Sequence, residues 1–324
     1  MDMKPRTPVS PTNDVSRLLE GMSATAFQGR KLGESLDVWA QMCRDPDCTI
    51  LLGLSGAMIP AGMQQCLIEL VENRYVDVIV STGANIFHDV CEHFGIRHYL
   101  GHHQADDCQL FSKGIDRIYD VFAFEEQFRS IDLKFADFAG MIAPFSCSSA
   151  EFIRRFGEWM IGQFPERRSF LSTCVEKNVP VFIPALCDSS IGIGLMVARR
   201  NGIQAHIDQI ADVDEIARIV ESSKKTGVVY IGGGVPKNFI QQTQVIADMY
   251  NAGQEGHAYA IQYTTDAPHW GGLSGCTFEE AISWGKEAPH APRVQCFCDA
   301  TIALPFITSG LIGRKIRRAD RTHS

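Results

Sequence analysis

The stretch 227–237, Gly-Val-Val-Tyr-Ile-Gly-Gly-Gly-Val-Pro-Lys, decides the fold class of this 324-residue chain. Its apolar run Gly227–Ile231 is rich in β-branched and aromatic residues, which predicts a strand buried on both faces. Three glycines end that strand, and the segment Lys237–Met249 beyond them has the period of a helix. Because glycine is entropically costly, three in a row indicate a close approach of backbone to a ligand, since a simple tight turn would need only one or two. A strand, a turn and a helix in this order predict part of a βαβ unit.

The same alternation of apolar runs and helical segments extends in both directions, from about residue 36 to residue 313. The other predicted strands are Thr49–Leu54, Val76–Thr82, Val179–Leu186, Ala258–Thr264 and Val294–Phe297. The other predicted helices are Ala61–Asn73, Ser149–Gln163, Ser169–Lys177, Val213–Lys225, Thr277–Lys286 and Ala300–Leu311. Strands that alternate with helices at this spacing predict parallel pairing with helical crossovers. We therefore predict an α/β protein whose Rossmann-like parallel sheet carries helices on both faces, in a single large domain over residues 36–313.

The two ends of the chain lack this alternation. Residues 1–35 are predicted to form a flexible N-terminal arm that ends in a short helix near Val15–Met22. Residues 314–324 form a basic tail, interpreted as a solvated C-terminus, with contact to an acidic partner as the alternative. The polar start of the chain does not resemble a signal peptide, and no apolar run approaches the ~20 residues of a membrane span.

The composition excludes several classes of protein. Hydrophobic residues make up 45% and charged residues 21% of the chain, which argues against disorder and against a disulfide-rich miniprotein. The net charge of −8 provides no positive field for a phosphate backbone, so we expect neither nucleic acid nor a membrane as partner. A cationic substrate would suit this net negative charge. Eleven cysteines without zinc-ligand spacing predict reduced thiols, no metal site and a cytoplasmic protein.

Candidate binding residues follow the predicted strands, because ligands of open α/β sheets bind at the carboxyl ends of the strands. Small residues at 56–60 follow the first strand and those at 82–84 follow the second. They leave backbone N–H groups for a phosphate, although the GxGxxG fingerprint is absent and tight packing is the alternative for 56–60. Gly233 and Gly234 predict a dinucleotide or phosphate site in the same way. Asp188 either caps a helix or holds a ribose hydroxyl or an amine.

The segment 264–286 contains the densest set of reactive side chains. On the helix predicted there, Glu280 and Trp284 are four residues apart and share a face. Gly285 is expected to end the helix and to let Lys286 turn inward. Lys286, next to an indole and a carboxylate, is a candidate nucleophile if burial lowers its pKa. The alternative is a surface lysine stabilised by the helix dipole.

Three segments together resemble the deoxyhypusine synthase family: Glu280-Ala-Ile-Ser-Trp-Gly-Lys286, Gly232-Gly-Gly-Val-Pro-Lys237 and Pro184-Ala-Leu-Cys-Asp188. The resemblance runs in order from about residue 50 to residue 310. It implies an NAD-dependent transferase that dehydrogenates a polyamine such as spermidine and moves its 4-aminobutyl group, through an imine on a lysine, to an amine acceptor. The matching positions imply that Lys286 carries the imine. They also imply that Trp284 flanks the cationic amine by cation–π contact, and that Glu280 faces an amine.

The resemblance also implies a cofactor site, an assembly and an acceptor. The positions that match the family's NAD-binding stretches, together with the glycine turn, are Gly56, Ala57, Met58, Ile59, Pro60, Thr82, Gly83, Ala84, Asp188, Gly233, Gly234, Thr265, Asp266, Asp299 and Ala300. Family members are homotetramers with sites at subunit interfaces, which we expect here. The acceptor is either the lysine of a protein, the hypusine-bearing translation factor, or a small diamine, as in the homospermidine synthases that share this fold.

The chain departs from the family at positions that bind the amine. Three acids of the family are replaced by His88, Ile193 and Leu273, and a histidine and an asparagine by Asn238 and Gln242. These changes predict a different donor amine, or a site that grips only one end of it. The predicted substrate-binding residues are Trp284, Glu280, His88, Asn238, Gln242 and His269. A protein that binds NAD or polyamine without catalysis is the alternative, against which the intact Lys286 argues, and a plain dehydrogenase would not need this lysine.

Overall fold

The computed structural model describes residues 5–250, 253 and 255–318. Its α-helices are α1 (Val15–Ser23), α2 (Phe27–Arg44), α3 (Gln64–Glu72), α4 (Gly83–His93), α5 (Asp107–Ser112), α6 (Glu125–Ile142), α7 (Ser149–Gln163), α8 (Phe170–Glu176), α9 (Ser190–Arg200), α10 (Gln209–Ser222), α11 (Gly234–Met249), α12 (Phe278–Ile282) and α13 (Ala300–Gly313). Its strands are β1 (Cys48–Leu54), β2 (Val78–Ser81), β3 (Tyr99–Leu100), β4 (Ile115–Ile118), β5 (Val121–Phe124), β6 (Phe145–Cys147), β7 (Val181–Phe182), β8 (Ala205–Ile207), β9 (Lys225–Ile231), β10 (Tyr259–Thr264) and β11 (Arg293–Phe297). Two short 3-10 helices, Pro268–Trp270 and Leu273–Gly275, lie between β10 and α12.

The chain forms two compact units, of which the first contains the described residues up to Ser55, Glu69–Val80 and those from Val213 onward. Its strands are neighbours in the order β11-β10-β9-β1-β2. The pairs β1/β9, β9/β10 and β10/β11 are parallel, with Leu54 opposite Ile231 and Thr264 opposite Phe297. The carboxyl ends of these strands therefore lie along one edge of the sheet. The predicted α/β class with a parallel sheet flanked by helices is confirmed.

Helix α2 is the element of the first unit that the sequence pattern did not predict. It begins at Phe27, inside the segment 1–35 expected to be a flexible arm, and it buries Leu36 and Trp39 completely. The Trp39 indole donates a hydrogen bond to the Tyr75 carbonyl at 3.0 Å. A Cβ at Gly33 would lie 2.4 Å from the Ser23 nitrogen, so glycine allows α1 and α2 to cross closely. The same glycine weakens the helical signal of the sequence.

The second unit comprises Gly56–Ile68 and Ser81–Asp212. It contains an antiparallel sheet in the order β3-β5-β4 and the parallel pair β6/β8, neither of which was predicted. Strands of two to four residues are too short to show a two-residue period in the sequence. The strand predicted over Val179–Leu186 is confined to β7, because the chain turns after it and the Leu186 N–H donates to the Ile183 carbonyl.

Two features concern the whole described chain. None of the described helices is both long enough and apolar enough to cross a membrane. All eleven cysteines are free thiols, and six of them are at least partly exposed.

Candidate functional site

The glycine turn after β9 lies at the carboxyl edge of the first unit's sheet. Gly232 and Gly234 have φ values of +77° and +57°, in the left-handed region that favours glycine. A Cβ at Gly233 would lie 2.5 Å from the Ser274 Cα, so only glycine allows the loop that follows β10 to pass over the turn. The Gly234 N–H donates to the Ser274 hydroxyl at 3.1 Å. A Cβ at Gly234 would meet open space, so this glycine faces a free volume while Gly233 serves packing.

Lys237, in the first turn of α11, is completely buried beside the glycine turn, and the sequence reasoning did not single it out. Its ammonium donates to the Gln262 side-chain oxygen at 2.9 Å, to the Cys276 carbonyl at 2.7 Å and to the Leu273 carbonyl at 3.3 Å. Burial lowers the pKa of Lys237 to about 8. Gln262 in turn donates to the Gly232 and Ser274 carbonyls, both at 2.8 Å. The lysine and the glutamine therefore fix the glycine turn and the loop 273–276 to each other.

Lys286 lies beyond α12, which is shorter than the predicted helix Thr277–Lys286. That prediction was wrong at its end because the chain leaves the helix at Ser283, and Gly285 adopts a φ of +70°. The Lys286 N–H then donates to the Ala281 carbonyl at 3.1 Å, a hydrogen bond typical of helix ends that close with a left-handed residue. Gly285 thus ends the helical segment, as predicted, and sets the direction of the lysine.

The side chain of Lys286 meets two of the predicted substrate-binding residues. Its ammonium donates to the Asn238 side-chain oxygen at 3.3 Å and lies 5.4 Å from the centroid of the Trp284 ring. The lysine is half-buried, whereas 66% of Trp284 is exposed. Because the Lys286 amine makes one long hydrogen bond and lies beside the exposed Trp284 indole, a second amine can reach it.

Three other predicted substrate-binding residues of this unit do not join that contact. Glu280 is exposed on α12, Gln242 is exposed on α11, and His269 is exposed and packs against Trp270 at 4.4 Å between ring centroids. Leu273, at the position of a family acid, lies in the second short 3-10 helix. Only Asn238 and Trp284 are therefore in contact with the candidate nucleophile.

Glu287, the residue after the lysine, is a buried titratable residue next to the candidate nucleophile that the sequence reasoning missed. It is 1% exposed, and burial raises the pKa of its carboxyl to about 8. Its Oε1 accepts a hydrogen bond of 3.4 Å from Gln241, while no described residue pairs with Oε2. The adjacent His257 N–H donates to the Lys286 carbonyl at 3.0 Å. The backbone of Lys286 is thus held from inside the unit while its side chain turns toward Asn238.

The remaining predicted cofactor positions of the first unit follow β10 and β11. Thr265 and Asp266 are exposed immediately beyond β10. Asp299 caps α13, accepting from the Thr301 N–H at 2.8 Å, and Ala300 is the first residue of that helix. These positions line the carboxyl edge of the sheet together with Gly233 and Gly234, although part of the carboxylate of Asp299 is used by the cap.

The predicted cofactor positions of the second unit lie where α4 and α9 begin. The Thr82 hydroxyl donates to the Gly56 carbonyl at 2.8 Å, and the Met58 N–H donates to the Asn85 side chain at 2.7 Å, so the loop 56–60 is tied to the start of α4. A Cβ at Gly83 would lie 2.4 Å from Ser189, the N-cap residue of α9. The N-termini of two eleven-residue helices are therefore adjacent within this unit.

Asp188 precedes the N-cap residue of α9, so the capping role considered for it is wrong. Its side chain is exposed and has no hydrogen-bond partner within the part of the chain that the structure describes. A dinucleotide fits these residues in chemical terms, because helix N-termini favour a diphosphate and a free carboxylate suits ribose hydroxyls. Ala57, Ile59, Pro60 and Ala84 complete the same two segments.

His88 lies on α4 and is 7% exposed. Its Nδ1 is 3.0 Å from Nε2 of His98, and Nδ1 of His98 is 2.9 Å from the Glu92 carboxylate. The Phe128 ring packs against His88 at 5.3 Å between centroids. Burial lowers the pKa of His88 to about 3, so this residue is neutral at physiological pH. Ile193, at another position of a family acid, is 48% exposed on α9.

The family model and the curated relatives identify one family. A protein-family model described as Deoxyhypusine synthase matches residues 17–311. A relative from Methanosarcina mazei named "Probable deoxyhypusine synthase 2" is 56% identical over 308 residues, 95% of this chain and 89% of the relative. One of the same name from Archaeoglobus fulgidus is 52% identical over 92% of this chain and 97% of its own. A solved structure of a putative deoxyhypusine synthase from Entamoeba histolytica has the same fold, with a TM-score of 0.63, 18% identity and 94% coverage of both chains.

Proposed function

The chain belongs to the deoxyhypusine synthase family, and we propose that it is an NAD-dependent transferase whose covalent carrier is Lys286. The enzyme oxidises a polyamine to an imine, and the Lys286 amine attacks the imine carbon. The bond from that carbon to the departing amine breaks, and a 4-aminobutyl imine remains on Lys286. An acceptor amine then displaces the lysine, and reduction of the product imine completes the transfer. The observation that carries the proposal is the contact of the Lys286 amine with Asn238 and Trp284.

The surroundings of Lys286 support its role as a nucleophile. A lysine attacks a carbon only through a neutral amine with a free lone pair. The Asn238 side-chain oxygen accepts one N–H at 3.3 Å, which orients the amine without competing for the lone pair. The exposed Trp284 ring offers its face to the cationic end of a polyamine. No carboxylate lies within salt-bridge distance of Lys286 among the described residues, so the amine is not held as one half of an ion pair.

The residues at the helix N-termini of the second unit support the cofactor proposal. NAD, when bound, supplies the hydride acceptor for the first step and the hydride donor for the last. Thr82, Gly83 and Ala84 at the start of α4, with Gly56–Pro60 tied to them, are proposed to hold its diphosphate. Asp188 is proposed to bind ribose hydroxyls. In the first unit Gly234, Thr265, Asp266 and Ala300 are the corresponding candidates at the carboxyl edge of the sheet.

The donor amine and the acceptor are proposed by class. The donor is a polyamine or diamine, and the acceptor is either a protein lysine or a small diamine, as in homospermidine synthases. Since the positions of three family acids hold His88, Ile193 and Leu273, the site is proposed to bind fewer ammonium groups than a site with three carboxylates. A homotetramer in the cytoplasm remains the expected state of the enzyme.

Trapping of the imine tests the proposal. The protein is incubated with NAD and with individual diamines or polyamines, reduced with borohydride and digested, and the peptide that contains Lys286 is weighed. We expect a mass increase of one aminoalkyl group on this peptide, dependent on NAD and absent from Lys286→Ala. Lys224→Ala is the matched control, since Lys224 is an exposed lysine of the same unit that pairs with Asp47.

The outcomes separate the candidate functions. Firm NAD binding without an adduct from any amine tested would leave a binding protein without catalysis and would overturn the proposal. Formation of NADH without an adduct would indicate a plain dehydrogenase. On dilution of the unreduced adduct, the aminoalkyl group of Lys286 can pass to a free diamine or to a lysine-bearing protein. Transfer to the free diamine would show that the acceptor is a small molecule.

A further inference from the structure

Two cysteines at the end of β11, in the first unit, form a pair of neighbouring thiols. Cys296 lies within the strand, and Cys298 follows the last strand residue, Phe297. A hydrogen bond joins the two thiol groups. The sequence signal for this contact is the segment Cys-Phe-Cys, because a spacing of two residues places both side chains on one face of a strand.

The backbone at the end of β11 holds the pair at a separation that suits a disulfide. The last paired residues of β10 and β11 are Thr264 and Phe297. The next N–H, that of Cys298, donates to the carbonyls of both Thr264 and Cys296 at 3.1 Å. A hydrogen bond to the second preceding residue closes a three-residue turn, which is shorter than two residues of extended strand at roughly 6.6–6.8 Å. Since disulfides join Cα atoms about 4.4–6.8 Å apart, a bond between these two sulfurs needs no rearrangement of the sheet.

The two thiols differ in exposure, which gives them different roles in an oxidation. Cys296 is completely buried, and its thiol donates to the Gln28 carbonyl in the first turn of α2 at 3.8 Å. Cys298 is partly exposed, and its thiol donates to the Asp299 carbonyl at 3.4 Å. An oxidant in solution therefore reaches Cys298 first. Cys296 is in contact with it from the interior, at the position of a resolving thiol.

The groups that face the pair decide which thiol ionises first. Burial raises the pKa of Cys298, and the Asp299 charge at the start of α13 raises it further, while the hydrogen bond with Cys296 lowers it. Burial raises the pKa of Cys296 to about 12, and the same hydrogen bond adds to this, while Lys31 of α2 acts against it. From β10, Tyr263 brings no charge, because burial raises the pKa of its hydroxyl. Cys298 is thus the first of the two to become a thiolate, the form that attacks a disulfide.

We propose that Cys296 and Cys298 are a redox-active pair that a small disulfide of the glutathione class converts into an intramolecular disulfide. The Cys298 thiolate attacks one sulfur of the small disulfide, whose S–S bond breaks and releases one small thiol. A mixed disulfide remains on Cys298. Cys296 then loses its proton, its sulfur attacks that of Cys298, and the second small thiol leaves. Two protein thiols are oxidised and one small disulfide is reduced to two thiols, so electrons and protons balance.

The disulfide also affects the proposed cofactor site, and this consequence rests on the proposed function. The pair directly precedes Ala300, a candidate position for NAD, and Asp299, which caps α13 by accepting from the Thr301 N–H at 2.8 Å. A covalent bond across the preceding turn changes the start of that helix, so the oxidised protein should bind NAD more weakly. Transient disulfides in a reducing compartment are typically sensors or catalysts, and reduction of this pair restores the first state.

Mass spectrometry of one tryptic peptide tests the pair without an assay of activity. Residues 294–314 form a single tryptic peptide whose two cysteines are Cys296 and Cys298. The folded protein is incubated with oxidised glutathione, quenched in acid, alkylated in denaturant and digested without reduction. We expect this peptide to carry no alkyl group and to be two hydrogen masses lighter than the dithiol. Dithiothreitol before alkylation should restore both alkyl groups.

Single variants separate the attacking thiol from the resolving thiol. Cys296→Ser should retain one glutathione on Cys298, because nothing displaces it, whereas Cys298→Ser should leave the buried Cys296 unmodified. Cys108, an exposed cysteine of the second unit, is the control in the same sample and should form only a mixed disulfide with glutathione. Closure in the wild type should become about 10-fold faster from pH 7 to pH 8, since the thiolate fraction rises by that factor below the pKa.

Two alkyl groups or two glutathiones on the peptide 294–314, once Cys108 is fully modified, would overturn the pair. NAD titration of reduced and oxidised protein tests the consequence, with the double variant Cys296→Ser/Cys298→Ser given the same treatment. Oxidation should weaken NAD binding about 10-fold in the wild type only, a coupling of ordinary size. Equal affinity in both states would refute the effect on the cofactor. Closure of the disulfide in a protein that binds no NAD in either state would fail the proposed function alone.

Discussion

Two lysines of the first unit, one on α11 and one after α12, have opposite surroundings. Lys237 is completely buried and donates three hydrogen bonds, to Gln262 and to two carbonyls of the loop 273–276. Lys286 is half-buried and donates one hydrogen bond, of 3.3 Å, to the residue next to Lys237, Asn238. Both lysines belong to the segments that carry the family resemblance. Their surroundings indicate a structural role for the first and a chemical role for the second.

The difference shows that burial and reactivity need not coincide in this unit. The sequence suggested a buried lysine at position 286, but the completely buried lysine of this unit is Lys237, and burial lowers the pKa of Lys237 to about 8. All three N–H directions of Lys237 are occupied, so a substrate could reach its amine only if the loop 273–276 moved away. An amine that is accessible and has few partners is the better carrier, and Lys286 is the one that meets this condition.

The largest effect expected from this comparison at pH 7 concerns stability. Lys237→Ala leaves three buried acceptors without their donor and creates a cavity, and should lower the free energy of unfolding by about 3 kcal/mol. Lys286→Ala removes one long, partly solvated hydrogen bond and should change it by at most ~0.5 kcal/mol. Urea unfolding of both variants at pH 7, with an unchanged slope against denaturant, measures the two values.

Equal losses for the two variants would contradict the division into a structural and a chemical lysine. Lys237→Met is the informative companion, because it fills the volume but donates nothing. A loss for Lys237→Met close to that of Lys237→Ala would assign the stability to the hydrogen bonds, whereas recovery of most of it would assign it to packing.

A pH-dependent effect concerns the buried Glu287, the neighbour of Lys286 in sequence. Burial raises the pKa of this carboxyl from about 4.5 to about 8, so the folded protein keeps a proton that the unfolded chain has lost. The contribution of Glu287 to stability is thus fully present below pH 4.5 and decreases as the pH rises toward 8. Relative to Glu287→Gln, the wild type should lose about 3–4 kcal/mol between pH 5 and pH 8.

Unfolding curves at a series of pH values check this prediction. Glu20→Gln, which changes an exposed glutamate of the same unit, is the matched control and should follow the wild type. If wild type and Glu287→Gln keep a constant difference over the whole range, Glu287 is ionised in the folded protein. In that case Glu287 would form an ion pair in the interior behind Lys286. The difference between this interior and the exposed side of Lys286 would then be smaller.

The sequence predicts an element or a contact of this protein well when the residues that specify it lie close together in the chain. The strands at 49–54 and 227–231 and the helix at 149–163 were predicted within one or two residues, because a long apolar or amphipathic run specifies its own element. Trp284 and Lys286 could be associated from their closeness in the sequence, whereas Asn238 could be added to them only through the family resemblance. The hydrogen bonds that anchor Lys237 join residues 25 to 39 positions apart, and those of His98 with Glu92 and His88 depend on how the chain turns back after α4, so no spacing in the sequence encodes either set.

The smallest effect tests whether the direction of Lys286 matters as well as its accessibility. Gly285 and Gly202 both follow a helix end with positive φ, +70° and +83°, and a Cβ at either would meet no atom within 4 Å. Alanine at either position should therefore cost the same ~1 kcal/mol of backbone strain. Only Gly285→Ala should also slow imine trapping, since relief of that strain turns Lys286 away from Asn238. If both variants trap the imine at the wild-type rate, the amine of Lys286 reacts from any orientation, and access alone distinguishes it from Lys237.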